Sequence, residues 1–174
     1  MNSFNKLFKP TKSKNKFWIL LKTYLQTSIF WIIFLGIVPF GLIQFESEFF
    51  GFIFSPQKII AVFLFISFSS LALYSAYIMS SKGEGTPLPM DCAVKLVSIG
   101  PYRIWRNPMA VSGIGQGIAI GVYYGSVFVI VYAICGALLW HFFVRPAEEK
   151  DLLNRFGKSY ESYQKATKNW IPRI

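Results

Sequence analysis

Charge is missing from three long stretches of this sequence. Residues 23–45, 59–81 and 107–144 contain no Asp, Glu, Lys or Arg, an absence that only segments surrounded by lipid require. Acidic residues are scarce throughout, 8 against 18 Lys and Arg. Cysteine and histidine are scarcer still. Cys92 and Cys135 cannot build a disulfide framework, and with His141 as the single histidine no cluster has metal-ligand spacing. A glycine fingerprint between a strand and a helix is also lacking. The string GIGQG at 113–117 lies inside an uncharged run and follows no strand signal, which excludes a dinucleotide loop there. The basic excess does not point to nucleic acid, because Lys and Arg are confined to separate segments with uncharged runs between them. After the basic N-terminal segment there is no short apolar core with a small-residue cleavage site, so the first run reads as an uncleaved span.

What is present is apolar bulk: 53% of residues are hydrophobic and 18% aromatic. A helix needs about 20 residues to cross roughly 30 Å of hydrocarbon, so the first two runs are each expected to be one transmembrane helix. The third holds 38 residues. As one straight helix it would reach about 57 Å, so it is expected to fold back around Tyr123, Tyr124, Gly125 and Ser126. The expected fold is therefore all-α and polytopic, a single membrane domain over 1–174. It has a basic segment at 1–22, two spans within 23–81, and a half at 82–174 built on a short helical hairpin. Leu152, Leu153, Phe156, Tyr160 and Tyr163 recur at near-helical spacing, which predicts an interfacial amphipathic helix at the C-terminal end. Gly113, Gly117, Gly121 and Gly125 recur every four residues and predict one helix face open to close packing.

Basic residues also give an orientation. Six precede the first run, four fall from Lys82 to Arg106 and seven follow Val144, whereas Lys58 alone separates the first two runs. Basic loops stay on the cytoplasmic side, so both termini and the central loop are expected there, in the cell inner membrane if the source is bacterial. Glu46 and Glu48 then fall on the opposite side. Lys6, Lys9, Lys12, Lys14 and Lys16 serve either as a topology anchor or as a contact for anionic headgroups.

A membrane enzyme working on polar groups keeps its ionisable residues at the interface. Two clusters qualify, and they flank the hairpin: the Gly- and Pro-rich loop GEGTPLPMDCAVKLVSIGPYRIWRNPM, and HFFVRPAEEKDLLNRFGKSYESYQKATKNWIP. The order LVSIGPYRIWRNPM, then EE, then FGKSYESYQK and NWIP, resembles the isoprenylcysteine carboxyl methyltransferases and the related phospholipid N-methyltransferases, over roughly 83–172. The resemblance implies a membrane methyltransferase using S-adenosyl-L-methionine, with a site of interfacial helices and loops in place of a Rossmann sheet. It implies cofactor contacts from Lys95, Leu96, Val97, Tyr102, Arg106, Asn107, Pro108 and Glu148, catalytic roles for Arg145 and Glu149, and a lipophilic methyl acceptor arriving from the bilayer. Asn107 stands where the best-known members carry histidine, and Ala110 where an aromatic residue is usual.

Each of these residues also has a plainer reading. Glu148 and Glu149 favour a helix N-terminus after Pro146, Arg145 and Arg106 anchor the interface, and His141 hydrogen-bonds there. For an amine acceptor, Glu149 or Tyr102 is available to take the proton. Two other functions remain open: an NADPH-dependent membrane reductase of the sterol reductase type, and a non-enzymatic scaffold.

Overall fold

The computed structural model describes residues 9–13, 15–52, 54–87 and 91–170. Lys6 and Lys14 of the basic segment, and Ile171 and Pro172 of the NWIP motif, lie outside the described residues. Helices follow in the order α1 (Lys16–Trp31), α2 (Val38–Phe49), α3 (Lys58–Lys82), α4 (Pro101–Ile104), α5 (Pro108–Tyr124), α6 (Val127–Leu139), α7 (Arg145–Phe156) and α8 (Lys158–Ala166). Beyond isolated β-bridges at Cys92, no strand forms among the described residues.

Two of these joins are not breaks. Wide π-turns, Ile32–Ile37 and Trp140–Val144, carry α1 into α2 and α6 into α7 as continuous rods. Each π-turn ends just before a proline, Pro39 or Pro146. Proline lacks an N–H and clashes with the carbonyl four residues earlier, and a wider turn accommodates both defects without ending the helix. In the first rod the Phe34 carbonyl accepts from the Tyr132 hydroxyl at 3.3 Å, a partner supplied by α6.

By length and composition, three helices among the described residues can cross a membrane: Lys16–Phe49, Lys58–Lys82 and Val127–Phe156. Large apolar side chains along them, such as Phe17, Ile59, Phe63 and Phe143, face outward, as expected of an integral membrane protein whose solvent is hydrocarbon. The expected count of four crossings is not reached on that measure. α5 has 17 residues, about 26 Å of helix, and is the most enclosed element, packed along α3 on one side and α6 on the other.

The fold-back falls where expected. α5 ends at Tyr124, Gly125 takes a left-handed conformation at φ +75°, and Ser126 caps α6 by accepting from the Val129 N–H at 3.2 Å. A Cβ at Gly125 would sit 2.4 Å from the Phe54 carbonyl oxygen, so only glycine fits this turn. The glycine stripe is half right. Added Cβ atoms would lie 2.5 Å from Ile130 at Gly121 and 3.0 Å from Ala133 at Gly117, yet at Gly113 nothing lies within 4 Å. The hairpin is closed at its turn and opens toward Pro108. Glu46, fully buried at the end of α2, seals the turn: it accepts from the Ser126 hydroxyl, from the Val127 N–H at 3.0 Å and from the Phe128 N–H at 3.2 Å. One buried carboxylate thus satisfies the first free donors of α6.

At the other end the central loop and both terminal segments gather. The Thr11 N–H donates to the Cys92 carbonyl and the Cys92 N–H to the Lys9 carbonyl, at 3.1 and 2.9 Å. Lys22 pairs with Asp91, and Arg155 donates to the Ala93 carbonyl at 2.6 Å. The expected C-terminal amphipathic helix is present as two pieces. α7 is the direct continuation of the third rod, and the chain breaks at Gly157 before α8. Tyr160 is fully buried in that corner, while Leu153 is exposed.

Candidate functional site

Asn107 joins the two halves of the hairpin. Its side-chain oxygen caps α5 by accepting from the Ala110 N–H at 3.1 Å, and its amide nitrogen donates to Glu148 Oε2 at 3.4 Å. Pro108 follows at the first helical position, where its missing N–H has no consequence. An asparagine performs both tasks because its amide carries an acceptor and a donor on one short stem.

Glu148 and Glu149 project from α7 as neighbours and are divided among cations. Arg145, one turn earlier and 5% exposed in its side chain, donates to Glu148 Oε2 at 3.3 Å and through Nε to Glu149 Oε1 at 2.9 Å. Its remaining nitrogen donates to the Tyr160 hydroxyl at 3.3 Å. Arg106 Nη1 lies 3.0 Å from Glu149 Oε1, and Gln164 of α8 donates to Glu149 Oε2 at 2.8 Å. The alternative of first-turn acids favouring a helix N-terminus loses its basis here. The backbone is helical without interruption from α6 through the π-turn to α7, so no helix begins at Pro146.

The GPY turn has a separate logic. Gly100, at φ +59°, makes the corner that starts α4. Tyr102 turns its ring inward against Ile78 and Val97 and donates at 3.4 Å to the Ser75 carbonyl, while its own carbonyl accepts from the Tyr163 hydroxyl at 2.6 Å. Burial pushes the Tyr160 hydroxyl up to about 12 and raises those of Tyr163 and Tyr102 as well. These phenols are neutral donors at physiological pH, so Tyr102 is not a group that takes a proton from an acceptor.

Of the residues singled out in sequence, Arg106, Asn107, Arg145, Glu148 and Glu149 come together in one network, with Pro108 beside it. Val97 and Tyr102 lie one layer below in the apolar cluster, and Leu96 is half-buried next to them. Lys95 stands apart, an exposed side chain paired with Glu84. His141 accepts at Nδ1 from the Trp170 indole N–H at 3.0 Å. Sequence reasoning missed Gln164 and the Arg145–Tyr160 bond. The spacing inside FGKSYESYQK held them, but only the bend at Gly157 turns that spacing toward α7. Two apolar cavities of about 220 and 190 Å³ open between α3 and α5 and between α1 and α3. The charged network lines neither of these two.

The phospholipid methyltransferase family model matches residues 56–159. This chain belongs to the phospholipid methyltransferase family. Membrane methyl transfer is accordingly its class of activity, and the resemblance carried by the GPY, RNP and EE motifs holds. The matched range takes in α3, ahead of the motifs, and includes Arg106, Asn107, Arg145 and both glutamates. It stops before Tyr160, so the NWIP segment falls outside it. Among curated proteins there is no match.

Proposed function

We propose that this protein transfers a methyl group from S-adenosyl-L-methionine to a lipid-like acceptor, a phospholipid amine or an isoprenylcysteine-type carboxylate, at the cytoplasmic face of its membrane. The observation that carries this reading is the network of two glutamates and two arginines at the open end of an apolar hairpin, within the range that matches the family.

The residues present fit the cofactor. It carries a sulfonium, an ammonium, a carboxylate and a ribose, and when bound it supplies an electrophilic methyl group. Glu148 and Glu149 offer carboxylate oxygens to an ammonium or to hydroxyls. Arg106 Nε and Nη1 are buried without a hydrogen-bond acceptor in good alignment, and such donors suit a carboxylate. Asn107 holds Glu148 in place, and Arg145, its nitrogens already engaged by Glu148, Glu149 and Tyr160, is a positioning residue that braces both carboxylates. Leu96 and Val97 act by packing the loop that leads into the GPY turn, with Lys95 at its surface. Transfer breaks the carbon–sulfur bond and forms a carbon–nitrogen or carbon–oxygen bond. A carboxylate acceptor needs no base; an ammonium acceptor must first release a proton, and Glu149 is the group of this network assigned to receive it. The protein's main contribution is alignment and exclusion of water. The acceptor's hydrocarbon stays in the bilayer while the cofactor arrives from the side where the basic segments gather.

The test is calorimetric titration of S-adenosylmethionine and S-adenosylhomocysteine into detergent-purified protein, beside Glu148→Ala and with NADPH as the control ligand. Micromolar binding that disappears in the variant supports the proposal. Absence of binding, or binding of NADPH instead, points to the reductase or scaffold reading and overturns it.

A further inference from the structure

Near the charged network two more buried polar atoms have no partner: the indole Nε1 of Trp140, on the second π-turn, and the side-chain oxygen Oδ1 of Asn169, on the segment after α8. One is a donor and the other an acceptor. The two segments that carry them are joined by hydrogen bonds of their neighbours. His141, next to Trp140, accepts from Trp170, next to Asn169, and the Arg106 N–H donates to the Lys168 carbonyl at 3.0 Å. The segment 167–170 thus crosses from the start of α5 to the π-turn, over the open end of the hairpin. Folded proteins rarely leave buried polar groups unpaired unless a ligand or a function uses them. A donor and an acceptor left unpaired on two segments that touch through Trp170 and His141 match the edge of adenine, which offers ring-nitrogen acceptors next to exocyclic amino donors, the pattern that a carboxamide reads in other settings.

We infer that Trp140 and Asn169 recognise the adenine base of the cofactor. The Trp140 N–H donates to a ring nitrogen, and Asn169 Oδ1 accepts from the exocyclic amino group. The segment 167–170 is then a wall of the cofactor site, although it lies beyond the range that matches the family. This inference rests on the S-adenosylmethionine reading above.

The experiment compares binding of S-adenosylhomocysteine and S-inosylhomocysteine to the full-length protein in nanodiscs, for the unaltered chain, Asn169→Ala, Asn169→Asp and Trp140→Phe. The inosyl analogue carries an oxygen in place of the amino group, so the unaltered protein should bind it about tenfold more weakly or worse. Asn169→Ala should bind the adenosyl ligand about tenfold more weakly and lose the preference. Asn169→Asp, which keeps an acceptor oxygen, should retain the preference, and Trp140→Phe should weaken both ligands. Thermal melts show which variants are folded. If the unaltered protein binds both analogues alike, or Asn169→Ala keeps the preference unchanged, the inference is wrong while the cofactor reading stands. Failure of the unaltered, folded protein to bind either ligand overturns the cofactor reading and this inference with it.

Discussion

The two ends of the α5–α6 hairpin both hold carboxylates, fully buried at the turn and part-buried at the open end. At the turn, Glu46 meets three donors from residues 126–128, and glycines bring the two helices into backbone contact. At the open end, two glutamates share two arginines, an asparagine and a glutamine, and unpartnered atoms of Arg106, Trp140 and Asn169 remain nearby. A matched set of donors and acceptors is what a purely structural site needs. A site with spare hydrogen-bonding capacity is suited to a ligand that completes it. The comparison separates an acid whose partners are all supplied by the fold from a pair of acids proposed to serve chemistry, one at each end of the same helical pair.

Substitutions at the two ends should therefore separate stability from binding. The largest effect is expected from Glu148→Ala, which should weaken S-adenosylhomocysteine at least 100-fold, about 2.7 kcal/mol, with little change in the melting temperature measured in detergent. If binding and melting fell together, the two ends would not differ in kind. Glu46→Ala should do the reverse: two α6 N–H groups lose their acceptor, a loss of roughly 2–4 kcal/mol of stability, with cofactor affinity retained in the fraction that stays folded. Glu46→Gln, which keeps one carbonyl oxygen, should recover part of it. A smaller contrast lies in the glycines. Gly121→Ala meets Ile130 and the Ser126 carbonyl and should cost about 1–3 kcal/mol. Gly113→Ala meets nothing and should be neutral or stabilise by up to about 1 kcal/mol. The same melts decide both. Smallest of all, Lys95→Ala should leave binding and melting where they were, because its partner Glu84 sits at the surface.

The sequence was most legible where lipid imposes a rule. Uncharged runs marked the apolar helices, and the excess length of the third run predicted the turn at Gly125. Asn107-Pro108 and Glu148-Glu149 were legible as motifs. What could not be read were pairings between residues far apart in the chain, because such contacts have no period. Glu46 was only a weak topology mark in sequence, yet it caps a helix some 80 positions later. The contact of Thr11 with Cys92, and that of Gln164 with Glu149, belong to the same class. Arg145 carried a catalytic role only through the resemblance, and the structure engages it with its own carboxylates and Tyr160. The amphipathic helix was anticipated as one piece because its apolar spacing continues across Gly157, while the backbone at that residue, φ +51°, does not.

The second π-turn separates two tasks that a regular helix would tie together. Each residue of an α-helix advances its neighbours by about 100° around the axis, so the lipid-facing side of α6 would dictate where every later side chain points. A widened turn across 140–144 resets that phase. Above it the rod can keep Leu138 and Leu139 toward hydrocarbon, and below it the same rod can turn Arg145 and both glutamates inward. The proline at 146 is thus less a defect in the helix than the setting that fixes the angle between the part of the rod that meets lipid and the part that holds the charged site.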